Sequence, residues 1–264
     1  MVKLSVCIEM IFNDMPDRDR LFAVRRAGID AAEIWGWQHR DIDLLYRASQ
    51  ESGTVISAMC VGTKDEELAA RYARTPLVAF DSDQVFPSVV KDSVEAAKRL
   101  GVKNLIVTVG QEQPGVTRDE QHFNIVRALK AAAGIFEDNE ITAVIEPLNT
   151  LVDHRGYYLS RSGEAAEILG EVGSKYVKML FDIYHQQITE GNVINNIERY
   201  MPLIGHFHVA DNPGRHEPGT GELSYANIFK KISELGYSGY TGLEFAPTKD
   251  CFAALRDVKE LNVF

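Results

Sequence analysis

The chain has 264 residues, 45% of them hydrophobic and 25% charged, with a formal net charge of -10. That length and balance exclude a disordered chain and suit one globular α/β domain, and the acidic surface disfavours phosphate backbones, so no nucleic-acid partner is expected. Cys7, Cys60 and Cys251 form no CxxC pair, MVKLSVCIEM lacks the long apolar region of a signal peptide, and no run approaches roughly 18 apolar residues; a cytoplasmic protein with no membrane partner is expected.

Along the chain, short apolar and β-branched runs recur as KLSVCIEM (3–10), AAEIWG (31–36), TVISAMCV (54–61) and NLIVTVG (104–110), then ITAVIEPL (141–148), VKMLFDIYH (177–185), IGHFHVAD (204–211) and YTGLEFAP (240–247). Near-continuous apolar runs mark strands buried on both faces, as in a parallel sheet wrapped by helices. Between them lie segments with helical spacing. RDRLFAVRRAG, DIDLLYRASQESG, DSVEAAKRLG and IFKKISELG end at Gly28, Gly53, Gly101 and Gly236, a helix-stop signal. Residues 64–87 are the least regular and suit a helix plus a loop over the sheet's open end. Eight β/α units without a linker predict a single (β/α)8 TIM barrel over residues 1–264. The rival is a doubly wound open sheet, weakened because no GxGxxG follows the first strand.

In such a barrel the C-terminal strand ends form the active-site face. Strand five ends in Glu146, strand six carries Asp182 with His185 three residues on, strand seven carries His206 and His208, and strand eight carries Glu244. His206 and His208 are two apart, so both face the same side. Singly, each of these is commonly an N-cap, a salt-bridge partner or a satisfied core histidine. Together, on four successive strands, they converge. Two like charges about 4 Å apart repel by roughly 4 kcal/mol at an effective dielectric of about 20. A divalent cation removes that conflict, and three carboxylates with one imidazole suit Mn²⁺, Mg²⁺ or Co²⁺ better than zinc. Glu146, Asp182, His208 and Glu244 are therefore the expected metal ligands.

The neighbouring residues are more open. His206 sits deeper and suits a hydrogen bond within the barrel. His185 suits either support of a ligand or a bond to substrate. Arg215, in a loop rich in proline and glycine, would grip a substrate carboxylate or hydroxyl, or be merely solvated. Glu9 and Glu33 divide evenly between substrate contact and structural hydrogen bond. Trp35 and Trp37 are either a wall for a sugar-like substrate or packing under a loop. Tyr157 and Tyr158 would line the mouth, and Asn149 would hold Glu146 or the substrate. His39 and His122 read as surface residues, and His154 and His216 carry no strand-end argument.

VIEPLN, GYYL, MLFDIYHQQ, ADNPGRHEPGTGELSY and GLEF together resemble the hydroxypyruvate isomerase family, within the xylose isomerase-like TIM barrels that also include ketose 3-epimerases and type IV apurinic endonucleases. The resemblance is strong over residues 141–247 and looser elsewhere. It implies one divalent cation on Glu146, Asp182, His208 and Glu244, with Glu146 and Glu244 also the proton-transfer pair. It implies substrate contacts from His185 and Arg215. Two features depart from it: hydroxypyruvate isomerases tend to carry Gln where His208 stands, as the epimerases carry His, and CVGTKDEEL lacks their pattern.

The expected activity is an intramolecular oxidoreductase-type isomerisation through an enediolate, on a small sugar or keto acid. Ketose 3-epimerisation uses nearly the same residues. An abasic-site endonuclease would need more zinc ligands and a basic groove; a non-catalytic binding barrel is the remaining rival. A homo-oligomer is compatible with all of these.

Overall fold

Strands that are apolar on both faces must be covered on both, and the chain achieves this by closing its sheet on itself. In the computed structural model, which describes residues 1–263, the barrel runs β1 (Lys3–Cys7), β2 (Ala31–Ile34), β3 (Val55–Cys60), β4 (Asn104–Val107), β5 (Thr142–Ile145), β6 (Val177–Asp182), β7 (Ile204–Val209) and β8 (Tyr240–Leu243). Each pairs in parallel with the next, and β8 closes on β1 from Lys3↔Tyr240 to Val6↔Leu243. The eight expected strands are all present, but each stops short of its apolar run. The segment Tyr184–His185, read as strand, belongs to a helix.

The outer ring is α1 (Asp17–Arg26), α2 (Ile42–Ser52), α3 (Glu66–Arg74), α4 (Ser82–Leu100), α5 (Arg118–Asn139), α6 (Ser162–Val172), α7 (Ile183–Thr189), α8 (Val193–Tyr200), α9 (Tyr225–Glu234) and α10 (Cys251–Leu261). Gly53 and Gly101 cap their helices with φ of 69° and 76°, where a side chain would be strained. The irregular stretch at 64–87 resolves into α3, a short loop and the first turns of α4. The helix expected to begin near residue 91 starts instead at Ser82 and runs through Pro87. Pro87 is the sixth residue of that helix and removes the N–H that would bond the Asp83 carbonyl; the helix runs through it with its apolar face buried on both sides of the proline. Among the described residues no helix is long and apolar enough to cross a membrane.

The lumen is divided by polarity. Ala58, Ile106, Val144 and Leu180, from β3 to β6, form an apolar cluster of their own. Opposite them, β2 and β7 contribute Glu33, His206 and His208, all essentially solvent-free. Two irregularities set this arrangement. Between β6 and β7 the register slips, Met179 facing Ile204 and Leu180 facing His206, after which Asp182 stands beside His208. Gly205 lies at the slip, where a Cβ would come within 2.8 Å of Lys178 Cβ and 2.9 Å of Val144 Cγ1. Such a bulge re-aims the side chains that follow it. A second slip falls between Ala32 and Glu33 against β3.

The two ends of the chain are clipped together behind the barrel. Asn262 accepts from the Val2 N–H at 3.0 Å and donates to the Val2 carbonyl at 2.7 Å, both bonds buried. Asn262→Ala leaves both groups of Val2 unpaired and should lower unfolding free energy by about 1–3 kcal/mol, read from urea melts, with the distant open end unaffected.

Candidate metal centre at the open end of the barrel

Glu146 and Glu244 each follow the last residue of a strand, yet their backbone N–H groups still bond the neighbouring strand, to Val107 O at 3.3 Å and Val209 O at 3.0 Å. Asp182 ends β6 and caps α7, accepting from the His185 N–H at 2.9 Å. His208 is the penultimate residue of β7. Its Nδ1 lies 3.0 Å from Glu146 Oε1, 3.4 Å from Glu244 Oε2 and 3.9 Å from Asp182 Oδ2. The four groups offer ligand atoms that all lie within 4.8 Å of one another, and all four are buried. The expected ligand set is thus assembled.

His208's other nitrogen, Nε2, lies 3.3 Å from Glu33 Oε1 without hydrogen-bond alignment, while Glu33 Oε2 is 2.9 Å from His206 Nε2. Glu33 is therefore a lumen residue behind the site and touches two histidines. Its signal in the sequence was a carboxylate within AAEI, a strand with every residue buried. His206 fills the expected internal role.

Burial and mutual attraction pull against each other here. Burial would depress the His208 imidazole, but Glu244, Glu33 and Glu146 hold it well above the ordinary histidine range. Burial would raise Glu244, yet His208 and then Arg215 bring it far below the carboxylate range. Burial dominates at Asp182, which is raised despite Arg215 and His208. Glu33, also opposed by burial, is lowered by the charge on His208 and its bond to His206. Acidic groups this close share too little positive charge, and hard oxygen donors with one imidazole fit a divalent cation.

The rim is built from loops. Arg215 Nη2 donates to Glu244 Oε2 at 2.5 Å, and its guanidinium sits 5.5 Å from the Tyr184 ring. The loop carrying it is organised by Asp211, which accepts from the backbone of Asn212, Gly219 and Leu223, and it contains a cis Asn212–Pro213 bond. Its far side is anchored by Glu217, which accepts from the Thr248 N–H at 2.9 Å and the Thr248 hydroxyl at 2.6 Å. Arg215 is therefore not a solvated loop residue.

The two tryptophans separate. Trp35, 41% exposed, donates its indole N–H to Glu244 Oε1 at 2.9 Å, so both Glu244 oxygens are held. Trp37 is buried packing. Glu9 accepts from the Trp35 N–H at 2.9 Å and from Arg40 at 2.5 Å, which settles it as a structural anchor of that loop. Asn149 Nδ2 lies 2.6 Å from His185 Nδ1 and 2.7 Å from Asp153, so it holds His185 and not Glu146. His185 Nε2 is 3.7 Å from Asp182 Oδ2 and has no hydrogen bond; burial takes its pKa down to about 4, so the ring is neutral near pH 7. His154, unassigned by pattern, packs its ring 5.1 Å from that of His185. Tyr157 is internal, its hydroxyl donating to Glu146 O at 3.2 Å. Tyr158 bonds Arg118 O. Neither belongs to the hollow's lining. His39 is exposed as expected, but His122 is packed, 2.8 Å from Glu171 and with its side chain 16% exposed.

Trp35, Cys60, Ile106, His154 and Arg215, with Glu146, His208 and Glu244, line a hollow of about 300 Å³. A wider groove of about 860 Å³ between α6 and α8 is lined by solvated Arg, Glu and Asn side chains.

The family model for xylose isomerase-like TIM barrels matches residues 21–260. The chain belongs to the xylose isomerase-like TIM barrel family. Within it, the chain is 30% identical to the 2-oxo-tetronate isomerase of Cupriavidus necator, over 97% of this chain and 96% of that protein. It is 34% identical to the hydroxypyruvate isomerase of Escherichia coli, over 66% of this chain and 67% of that one. Two solved structures share the fold. A structure described as an AP endonuclease, family 2, from Brucella melitensis has a TM-score of 0.90 at 24% identity, covering 98% of this chain and 99% of that one. A D-psicose 3-epimerase structure, determined in the presence of D-fructose, has 0.81 at 16% identity, covering 99% of each.

Burial would raise Glu217, but the Thr248 hydroxyl, the Thr248 N–H and Lys249 hold it below its ordinary value of 4.5. A carboxylate with a depressed folded pKa stabilises fully above the unfolded value and loses that contribution as pH falls through the folded one. Stability should therefore fall below about pH 4.5 in the parent protein. Glu217→Gln should be less stable at pH 7 and show a shallower acid decline, measured by urea melts at stepped pH.

Proposed function

We propose that this barrel is a divalent-cation-dependent isomerase acting on a small hydroxy-keto acid or sugar through an enediolate, of the hydroxypyruvate isomerase kind. The carrying observation is the convergence of Glu146, Asp182, His208 and Glu244 within 4.8 Å, beside Arg215 and at the floor of a small hollow. The names of the two relatives, both isomerases of small keto acids, support the reaction class.

The fit of a cation rests on the donors themselves: three buried carboxylates and one imidazole nitrogen, too crowded with negative charge to be stable alone. Glu146, Asp182, His208 and Glu244 would hold it. When bound, Mn²⁺, Mg²⁺ or Co²⁺ supplies positive charge against the oxyanion of the enediolate. The chain supplies the rest. Glu146 Oε1 lies 3.0 Å from His208 Nδ1, and Oε2 accepts no hydrogen bond from the described residues, which leaves that oxygen for the proton on carbon beside the carbonyl. Glu244 has both oxygens engaged by Trp35 and Arg215, which fixes its orientation; to carry and return a proton it would exchange one of these bonds for a contact with substrate. Arg215, with a guanidinium suited to paired oxygens, would grip the substrate's carboxylate or hydroxyl. Neutral His185, held by Asn149, would offer its unpartnered Nε2 to a substrate oxygen. Return of the proton to the neighbouring carbon, with the hydroxyl proton relayed between the two substrate oxygens, gives an intramolecular oxidation–reduction.

A second reading, ketose 3-epimerase, is favoured by one feature, the imidazole at 208. There the proton returns to the same carbon from the opposite face. A cytoplasmic setting accords with three unpaired cysteines.

Chelation should abolish turnover, and Mn²⁺, Mg²⁺ or Co²⁺ should restore it. Glu146→Gln and Glu244→Gln should each keep the fold and lose about 10²-fold or more in kcat. Full activity in either removes it from proton transfer. Chromatography of products from hydroxypyruvate, 2-oxo-tetronate, fructose, ribulose and tagatose separates isomerase from epimerase, and turnover of none with metal bound would favour a binding barrel.

A further inference from the structure

Glu33 takes no part in the chemistry above, yet it is a buried carboxylate placed against a ligand. We propose that Glu33 is a positioning residue: it holds the Nε2 side of His208 so that Nδ1 is presented to the cation. This rests on the cation reading of the preceding subsection.

The two nitrogens of His208 face different partners. Nδ1 looks toward Glu146, Glu244 and Asp182 at 3.0, 3.4 and 3.9 Å, and Nε2 toward Glu33 Oε1 at 3.3 Å. An imidazole ligates through a nitrogen without a proton, so the remaining proton must sit on the other nitrogen. A carboxylate facing Nε2 keeps the proton there, selects the tautomer and adds electron density to the ring.

Three features keep Glu33 in that position. Its second oxygen is 2.9 Å from His206 Nε2, so the carboxylate cannot turn away without losing that bond. The His206 and His208 rings cross edge to face with centroids 5.3 Å apart. Gly242 on β8 leaves the space the carboxylate fills: a Cβ there would stand 2.1 Å from Glu33 Oε1 and 2.5 Å from Oε2.

Glu33, His206 and His208 also offer atoms within 4.8 Å of one another, but they do not form a second cation site. Ligation there would take His208 through Nε2 while Nδ1 serves the first site, stripping both protons from the ring. The pair of Glu33 and His206 is already at hydrogen-bond distance.

The test uses the full chain, freed of metal by chelation, with Mn²⁺ alone titrated by calorimetry at fixed pH and salt. Glu33→Gln keeps the size of the side chain and removes the charge, and its Mn²⁺ Kd should rise roughly 10- to 100-fold while its urea melt stays cooperative. Gly242→Ala keeps every ligand but displaces Glu33, and should raise Kd similarly. The double variant should be no weaker than the weaker single one, because both act by one route. With Mg²⁺ bound, ¹⁵N-histidine spectra of the parent should show a proton on His208 Nε2, altered in Glu33→Gln. Wild-type affinity in Glu33→Gln overturns this inference and leaves the cation reading intact. Should that variant fold poorly, unchanged affinity in Gly242→Ala overturns it instead. Absence of Mn²⁺ binding by the parent protein overturns both.

Discussion

Four carboxylates, from Glu33, Glu146, Asp182 and Glu244, surround the His208 imidazole with almost no access to water. In so poorly solvated a place their repulsion is weakly screened, and each must be held where it is by something other than its own preference. Barrel closure provides that restraint. Glu146 and Glu244 are one residue beyond strands whose ladders extend through their own N–H groups, and Asp182 and His208 are register neighbours. The position of each of these four side chains follows from backbone hydrogen bonding, which is the stiffest element available.

Around this rigid floor, the loops bring compensating charge and donors. Arg215 reaches Glu244 from a loop pinned at both ends by buried carboxylates, Asp211 within it and Glu217 against Thr248. Trp35 reaches the same Glu244 from the opposite side, its backbone tied to Glu9. Residues on loops are usually more mobile than residues on strands. Here each is fixed by hydrogen bonds to the backbone, so the rim has much of the definition of the floor.

The convergence of Glu146, Asp182, His208 and Glu244 was legible in the sequence because they obey a simple periodicity: polar residues at the ends of four successive apolar runs. Strand number and closure were legible for the same reason, since each run is bounded by a helix-stop glycine or a polar loop. Exact boundaries were not. Tyr184 and His185 look like strand by composition, but Asp182 caps a helix at that point, and capping overrides the apolar run. Pro87 hid the first turns of α4. Glu33 was visible as an anomaly without a partner, because its meaning depends on His206, His208 and Gly242, which lie some 170 to 210 positions away in the chain. Roles for Glu9, Asn149 and His154 likewise depend on loop geometry, which no periodicity encodes.

The apolar staves beneath the centre have their own consequence. Ala58, Ile106, Val144 and Leu180 each lie on the inward face, and they fill the lumen on the side of β3 to β6. Grease of that kind offers no stepping stones for hydrogen ions along that side of the cylinder. Any relay of hydrogen ions is thereby left to the opposite wall, where Glu33 and His206 lie, or to the open mouth of the cylinder.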